Sequence, residues 1–418
     1  MRVLFTVSDW PSHWFSMVPL GWALQAAGHE VRVVCPPAQA EPLSRAGLMP
    51  VPVLEKECGD ILARIGNFSD AQLGRWPFAE LPPHPVTGEP IASLDDFEPV
   101  TWLGENRKQL AAASRRSTDA AVEFARRWRP RLVVHDLLSL EGPLTGKVLG
   151  VPSLLHLWGP FAQHDGDLGP GLLPIDFSRA FRRHGLTALL PDTYEHVIDP
   201  CPVSVAPPLG AARRHPVRHV PYNGPGVMPT WLPTLPTPGE RPRVCVVWST
   251  AVTGMFGPST FPVPRVVEAL AALDVEVLIT VTGSDRERIG ELPPGMRLLE
   301  LTPLQLLLPA CDLVIHHGGG GCAMTALAAG IPQLMLSNGW DQGTIANRIA
   351  ASGAGLAMPN AAADPAAIRA AATALLGGDG THRAVAKRLR QEMESQPDPA
   401  ELVTSLCELA EGAALAAR

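Results

Sequence analysis

The sequence predicts an α/β protein built from two doubly wound domains that face each other across a cleft. Three observations carry this expectation. Short apolar, β-rich runs alternate with helical patterns along the chain, which is the pattern of parallel sheets covered by helices. The alternation occurs in two series with a proline-dense stretch between them. And 418 residues exceed what one compact core holds, so at least two domains are required.

The first series opens with RVLFTVS (2–8), read as a buried parallel strand. A helix is expected over 17–27, stopped by Gly28 at the C′ position. EVRVVC (30–35) is the next strand. Residues 36–100 are proline-rich, with LPPHPVTGEP in the middle, and read as irregular; so long a stretch beside a sheet is either disordered or a functional lid. An amphipathic helix over 106–128 leads into RLVVHD (131–136), and VPSLLHLW (151–158) is a further strand. Tyr194 and His196 fall in a loop-like, solvated stretch.

Prolines are densest over 199–242, where central strands and helix interiors are excluded. This gives an N-terminal domain at 1–215, a linker at 216–242 and a C-terminal domain at 243–395. A last helix over 396–418 is expected to pack back on the N-terminal domain. In the second series the strands are 243–249, 275–281, 296–301, 312–317 and 333–337. Helices are expected near 263–273 and over 321–329, with helical patterns at 383–394 and 400–416.

Composition excludes several classes. Hydrophobic residues make up 46% and charged residues 18%, the opposite of a disordered chain. A net charge of −7 argues against a nucleic-acid partner, which needs a basic stripe. Seven cysteines are dispersed with no C-x-x-C pair, which suggests free thiols in a reducing compartment. The N-terminus lacks a signal-peptide pattern and no apolar run reaches 18 residues, so a cytoplasmic protein without membrane spans is expected.

The motif with chemistry in it is HHGGGGC (316–322), which joins the end of a strand to the start of a helix. The first N–H groups of a helix lack intrahelical partners, and the helix dipole adds partial positive charge there. Glycine side chains do not screen those donors, so Gly319, Gly320 and Gly321 make a phosphate cradle, with His317 able to donate to the same anion. A tight turn alone would need one glycine, not four. The chain has no G-x-x-x-x-G-K-[ST], and no G-x-G-x-x-G follows the first strand, so neither a P-loop nor an N-terminal dinucleotide site is expected.

The block HHGGGGCAMTALAAGIPQLMLSNGWDQGTIANRIAASGAG resembles the donor-site signature of family 1 nucleotide-sugar glycosyltransferases of the GT-B fold, in the bacterial branch that glycosylates antibiotics. PSHWFSMVPLGWALQAAGHEVRVVC is similar to that branch's opening unit, so the resemblance spans nearly the whole chain. It implies two Rossmann-like domains. It also implies that His317 contacts a diphosphate, with backbone N–H groups from Gly320, Gly321 and Cys322. Cys322 stands where Ser or Thr is usual, so a hydroxyl contact is lost or taken over by the amide. Asp341 and Gln342 match the pair that reads sugar hydroxyls, with Trp340 beside them. Ser249 and Thr250 match a Gly-Ser/Thr turn, and Ser249 in place of glycine narrows the space near the phosphate. The backbone of Pro303 and Leu304 lies where the nucleobase sits in relatives.

Glycosyl transfer needs a base for the acceptor and stabilisation of the leaving diphosphate. His13 follows the first strand and Asp136 ends another. Spacing alone rates His13 equally as a base or as a capping or buried histidine. The resemblance makes His13 the base and Asp136 its partner, with Asp9 a rival. Trp76, Phe78, Trp102, Trp158 and Phe161 either line an apolar acceptor pocket or pack the core. HDGD (164–167) contains a D-x-D in a turn-rich loop, and no metal site is expected there or elsewhere.

The function expected is inverting transfer of a deoxyhexose from a dTDP-sugar to an aromatic or polyketide acceptor. O- and C-transfer, and dTDP and UDP, stay open. The sugar, the nucleotide and the absence of a metal requirement rest on the resemblance. A non-catalytic helper of the same fold, or a nucleotide-sugar epimerase, are the alternatives. No cofactor beyond the nucleotide-sugar co-substrate is expected. The partners are that nucleotide sugar, a small aglycone and, as a further candidate, a second copy of the chain.

Overall fold

The computed structural model describes residues 1–56, 58–165, 173–232, 241–281, 283–299, 302–377 and 380–416. Two wholly parallel sheets form its frame. The N-terminal sheet has seven strands: β1 (Arg2–Thr6), β2 (Glu30–Val34), β3 (Pro50–Val51), β4 (Leu132–His135), β5 (Ser153–His156), β6 (His196–Asp199) and β7 (Arg213–Pro216). Their order is β3-β2-β1-β4-β5-β6-β7. The C-terminal sheet has β8 (Arg243–Val247), β9 (Glu276–Thr280), β10 (Met296–Leu299), β11 (Leu313–His316), β12 (Gln333–Ser337) and β13 (Gly355–Pro359). Its order is β10-β9-β8-β11-β12-β13.

Both sheets reverse their winding once, between β1 and β4 and between β8 and β11. Ligands of open α/β sheets bind outside the carboxyl ends of strands at such reversals. His13 follows β1, Asp136 follows β4, Ser249 follows β8 and His317 follows β11. The strands that deliver His13, Asp136, Ser249 and His317 are therefore the four switch-point strands.

The central strands are buried along almost their whole length, as in LVVH of β4 and RVCVV of β8, which is why they read as continuous apolar runs rather than as alternation. β7 lies inside the proline-rich stretch, and it can do so because it is an edge strand, where Pro216 needs no ladder donor. The C-terminal helix Pro399–Ala416 packs Leu402, Val403, Leu406 and Ala410 into the N-terminal core beside Val3, Leu20 and Leu24. A third apolar cluster crosses the cleft, joining Leu157, Trp158 and Phe161 to Ala323, Met324 and Ile345.

Several expectations need correction. Residues 36–100 are not irregular throughout. They contain the helices Ala40–Arg45 and Gly59–Gln72, and the second buries Ile65 and Phe68 against Phe97. Asn67 of that helix donates from Nδ2 to the carbonyl of Met255 in the other domain at 2.9 Å. Tyr194 is buried, and His196, half-buried, opens β6 with its Nδ1 3.1 Å from His215 Nε2, so neither lies in a solvated loop. β13 and the helices Thr250–Phe256, Trp340–Ser352 and Pro365–Leu376 complete the C-terminal domain.

Candidate active site

A cavity of about 430 Å³ opens between the two switch points. On the N-terminal side it is walled by His13, Phe15, Leu62, Leu138, Glu141 and Trp158. On the C-terminal side it is walled by Ser249, Leu304, His317, Gly319–Cys322 and Trp340–Gln342.

The C-terminal wall is built around the helix Gly320–Ala329. Its first i→i−4 bond runs from the Ala323 N–H to the Gly319 carbonyl, so the N–H groups of Gly320, Gly321 and Cys322 have no partner within the helix. No side chain caps this end. His317 stands beside it, its ring edge-on to Trp248 at 5.5 Å, with Nδ1 buried and unpartnered. The Oε1 of Gln342 and the indole nitrogen of Trp248 are likewise buried without a partner. Native proteins leave few buried polar atoms unsatisfied, so three in one neighbourhood mark a place where a polar ligand completes the structure. Burial, and secondarily His316, pushes the His317 pKa down to about 3, so the imidazole is neutral. His316 is structural: its Nε2 lies 2.9 Å from Gln333 Oε1, and its Nδ1 accepts from the Gly318 N–H.

Three of the four glycines have separate reasons. Gly318 has φ +88, a conformation that side chains disfavour. A Cβ on Gly319 would lie 2.3 Å from His317 Nε2. A Cβ on Gly320 would lie 2.6 Å from both Cδ1 and the carbonyl oxygen of Trp158, across the cleft. Only at Gly321 is the space ordinary, with Asn223 Nδ2 at 3.6 Å.

On the other wall, His13 sits in the short helix Pro11–Trp14. Its ring lies flat on Trp158, with centroids 3.9 Å apart and planes within 8°. The Trp158 indole N–H donates to Asp341 Oδ2 at 3.3 Å. Burial drives the His13 pKa down to about 3, and its Nδ1 has no hydrogen-bond partner. Asp136 does not pair with it. The Oδ2 of Asp136 accepts from the Ser8 N–H at 2.7 Å, and Oδ1 accepts from the N–H groups of Leu138 and Ser139 at 2.8 and 3.1 Å. Asp136 thus closes the turn after β4, and burial pushes its pKa up to about 6 against those amide bonds. The rival Asp9 does not hold the imidazole either, since its Oδ1 accepts from Gln39 Nε2 at 2.8 Å.

Family models for the Erythromycin biosynthesis protein CIII-like N-terminal and C-terminal domains match residues 22–248 and 264–409. The chain belongs to the family 1 antibiotic glycosyltransferases. It is 33% identical to the 3-alpha-mycarosylerythronolide B desosaminyl transferase of Saccharopolyspora erythraea, over 99% of both chains. It is 35% identical to the L-demethylnoviosyl transferase of Streptomyces niveus, over 97% of both. Spinosyn rhamnosyltransferase SpnG, solved with thymidine diphosphate, superposes with a TM-score of 0.73 at 33% identity, covering 97% of this chain and 100% of that one. SpnG solved with spinosyn aglycone superposes equally well, at 32% identity with 97% and 100% coverage. The two-domain architecture is therefore the GT-B fold.

Within this glycosyltransferase the remaining candidates fall as follows. Asp341 lines the cavity, and burial raises its pKa to about 6 against the Trp158 bond. Trp340 lines it with a left-handed backbone, φ 56, its ring edge-on to Phe256 at 6.0 Å. Ser249 caps the helix Thr250–Phe256, its Oγ accepting from the Ala251 N–H at 3.3 Å. Thr250 is the first residue of that helix. Leu304 reaches the cavity, while Pro303 caps the helix Leu304–Leu307 behind it.

Of the five aromatic candidates for the acceptor wall, only Trp158 lines the cavity. Phe161 stacks behind it at 6.1 Å. Trp76 packs on Phe78 and Phe256, and Trp102 on Phe97. Asp165 of the D-x-D pairs with Arg348 (3.1 Å to Oδ2), and Asp167 lies outside the described residues. Among the described residues there is no group of three metal-ligating side chains, and no helix is long and apolar enough to cross a membrane.

Sequence reasoning missed Glu141 and Asn223. Glu141 lines the cavity at the start of the helix Glu141–Leu149, and burial, then the nearby Asp136 charge, raises its pKa to about 7. A lone acidic residue at a helix start carries no signal that separates a cavity wall from a solvated end. Asn223, in the linker, accepts from Thr325 Oγ1 at 3.1 Å and so ties the linker to the cradle helix.

Proposed function

We propose that this glycosyltransferase moves a deoxyhexose from a thymidine diphosphate sugar to a polyketide or aromatic aglycone with inversion at the anomeric carbon. The observation that carries the reading is a neutral imidazole, His13, on the wall opposite an uncapped helix N-terminus, with a ligand-sized cavity between. The acceptor hydroxyl gives its proton to a His13 ring nitrogen as its oxygen forms a bond to C1 of the sugar. The C1–O bond to the diphosphate breaks on the opposite face. Charge developing on that diphosphate is met by the amides of Gly320, Gly321 and Cys322 and by His317. Asp341 and Gln342 hold sugar hydroxyls.

An imidazole with a pKa near 3 is a weak base in the empty protein. A diphosphate bound nearby favours the imidazolium, so donor binding strengthens the base when it is needed. The reading invokes no metal and no cofactor. Relatives named for desosaminyl and rhamnosyl transfer, one solved with thymidine diphosphate, support the donor class. A thermal-shift panel of nucleoside diphosphates tests it, because a ligand of the native state raises the melting point by mass action. A larger shift with thymidine than with uridine diphosphate is expected. No shift with either would overturn the reading and favour a non-catalytic helper.

A further inference from the structure

Asp136 leaves His13 without a carboxylate partner, so something else must fix the base. The contact that does so is the face of Trp158, 3.9 Å away and within 8° of parallel. The same indole has two further engagements on the donor side. Its N–H donates to Asp341 Oδ2 at 3.3 Å. Its Cδ1 and the Trp158 backbone carbonyl oxygen occupy the space that a Cβ on Gly320 would need, and a Cβ added to Gly159 would lie 2.9 Å from Gly320 Cα. Trp158 is 3% exposed and is anchored by the cluster that crosses the cleft. One rigid side chain thus touches the acceptor-side imidazole, the sugar-side carboxyl and the first turn of the phosphate cradle.

We propose that Trp158 is a positioning residue that sets the acceptor base and the sugar-reading carboxylate in one frame, its ring face placing His13 and its indole N–H placing Asp341. The proposal rests on the glycosyl-transfer reading for its consequence but not for its geometry. Planar aromatic stacking fixes ring orientation without removing the lone pair that must accept a proton, as a hydrogen bond to both nitrogens would. An indole N–H on one carboxylate oxygen leaves the other oxygen for a ligand hydroxyl.

Two variants separate the two contacts. Trp158→Phe keeps an aromatic face for His13 but removes the N–H. Trp158→Leu removes both. The first readout is affinity by calorimetry for two probes, thymidine diphosphate and thymidine diphosphate glucose. The second is the ¹⁵N shifts of the His13 ring, assigned by the signal lost in His13→Gln. Trp158→Phe is expected to weaken the nucleotide sugar about fivefold, the effect of one modest hydrogen bond, with thymidine diphosphate unchanged and the His13 shifts kept. Trp158→Leu is expected to move the His13 shifts as well. Retained thymidine diphosphate binding reports that each variant is folded.

Wild-type probe affinities in Trp158→Phe would overturn the Asp341 half. Unmoved His13 shifts in Trp158→Leu would overturn the His13 half. Identical behaviour of both variants in every readout would reduce Trp158 to packing. If the wild-type protein binds neither probe, the glycosyl-transfer reading fails, while the imidazole shifts still decide whether Trp158 sets the ring.

Discussion

The division of labour within the glycine run makes a quantitative prediction about two adjacent residues. Gly320→Ala and Gly321→Ala add the same methyl group to neighbouring positions in the first turn of one helix. At Gly320 the new Cβ would lie 2.6 Å from Trp158 Cδ1 and 2.6 Å from the Trp158 carbonyl oxygen, the latter a backbone atom that cannot swing aside. Forcing a methyl into a packed site costs about 1–3 kcal/mol. Against this, alanine is favoured over glycine in a helix interior by up to about 1 kcal/mol. The net expectation for Gly320→Ala is a loss of roughly 1–2 kcal/mol, or a melting point lower by about 2–8 °C for domains of this size. At Gly321 the nearest atom, Asn223 Nδ2, is 3.6 Å away. Gly321→Ala should therefore melt at or slightly above the wild-type temperature, yet its methyl borders the cavity and should weaken thymidine diphosphate. Differential scanning calorimetry with and without thymidine diphosphate checks both. The reasoning is refuted if Gly320→Ala is as stable as the wild type, or if the two variants lose stability equally.

Three further outcomes are expected. His13→Ala should lower turnover by roughly 10²–10⁴ while thymidine diphosphate binding survives; full activity in a coupled nucleotide-release assay would remove it as base. His317→Ala removes a neutral donor to a charged group, about 1.5–3 kcal/mol, so thymidine diphosphate affinity should fall roughly tenfold or more; an unchanged calorimetric Kd would defeat the cradle assignment. Thermal stability should rise with pH between about 4.5 and 6.5. His135, His156, His219, His316 and His317 are held by burial at pKa values of about 3–4, below the ordinary 6.5, so the unfolded chain binds more protons in this window and stability is lost as pH falls. Asp136, Glu141 and Asp341, raised to about 6, 7 and 6, act in the opposite sense but are fewer. A melting point that is flat or falling across that range would contradict the assignment.

The fold was largely legible because its main signals are local. RLVVHD and DLVIHH are apolar runs ending in polar residues, and those ends are where parallel strands deliver side chains to a cleft. The acceptor wall was not legible for the same reason. An aromatic such as Trp76 or Trp102 shows in sequence that it will find an apolar contact, but not on which element; both end half-buried. Trp76 stacks on Phe256 of the other domain, and Trp102 packs on Phe97 just before its own helix. The helix Gly59–Gln72 was obscured by the prolines that flank it, although none lies within it.

The two corrections at the site share one cause, the competition of nearby backbone donors for polar atoms and of distant atoms for space. The resemblance makes Asp136 a partner for His13, and both follow switch-point strands. Three amide N–H groups, those of Leu138 and Ser139 just after Asp136 and that of Ser8 just after β1, reach its carboxylate first, and short acidic side chains commonly make such local bonds to backbone donors. That leaves an imidazole held by an aromatic face. It also reassigns the glycine run, where Gly320 is empty of side chain chiefly so that Trp158 can stand against it. The first turn of the helix Gly320–Ala329 and His13 then share a wall, so Trp158→Leu or Gly320→Ala should disturb nucleotide-sugar binding and the His13 ring together, whereas Gly321→Ala or His317→Ala should affect thymidine diphosphate binding alone.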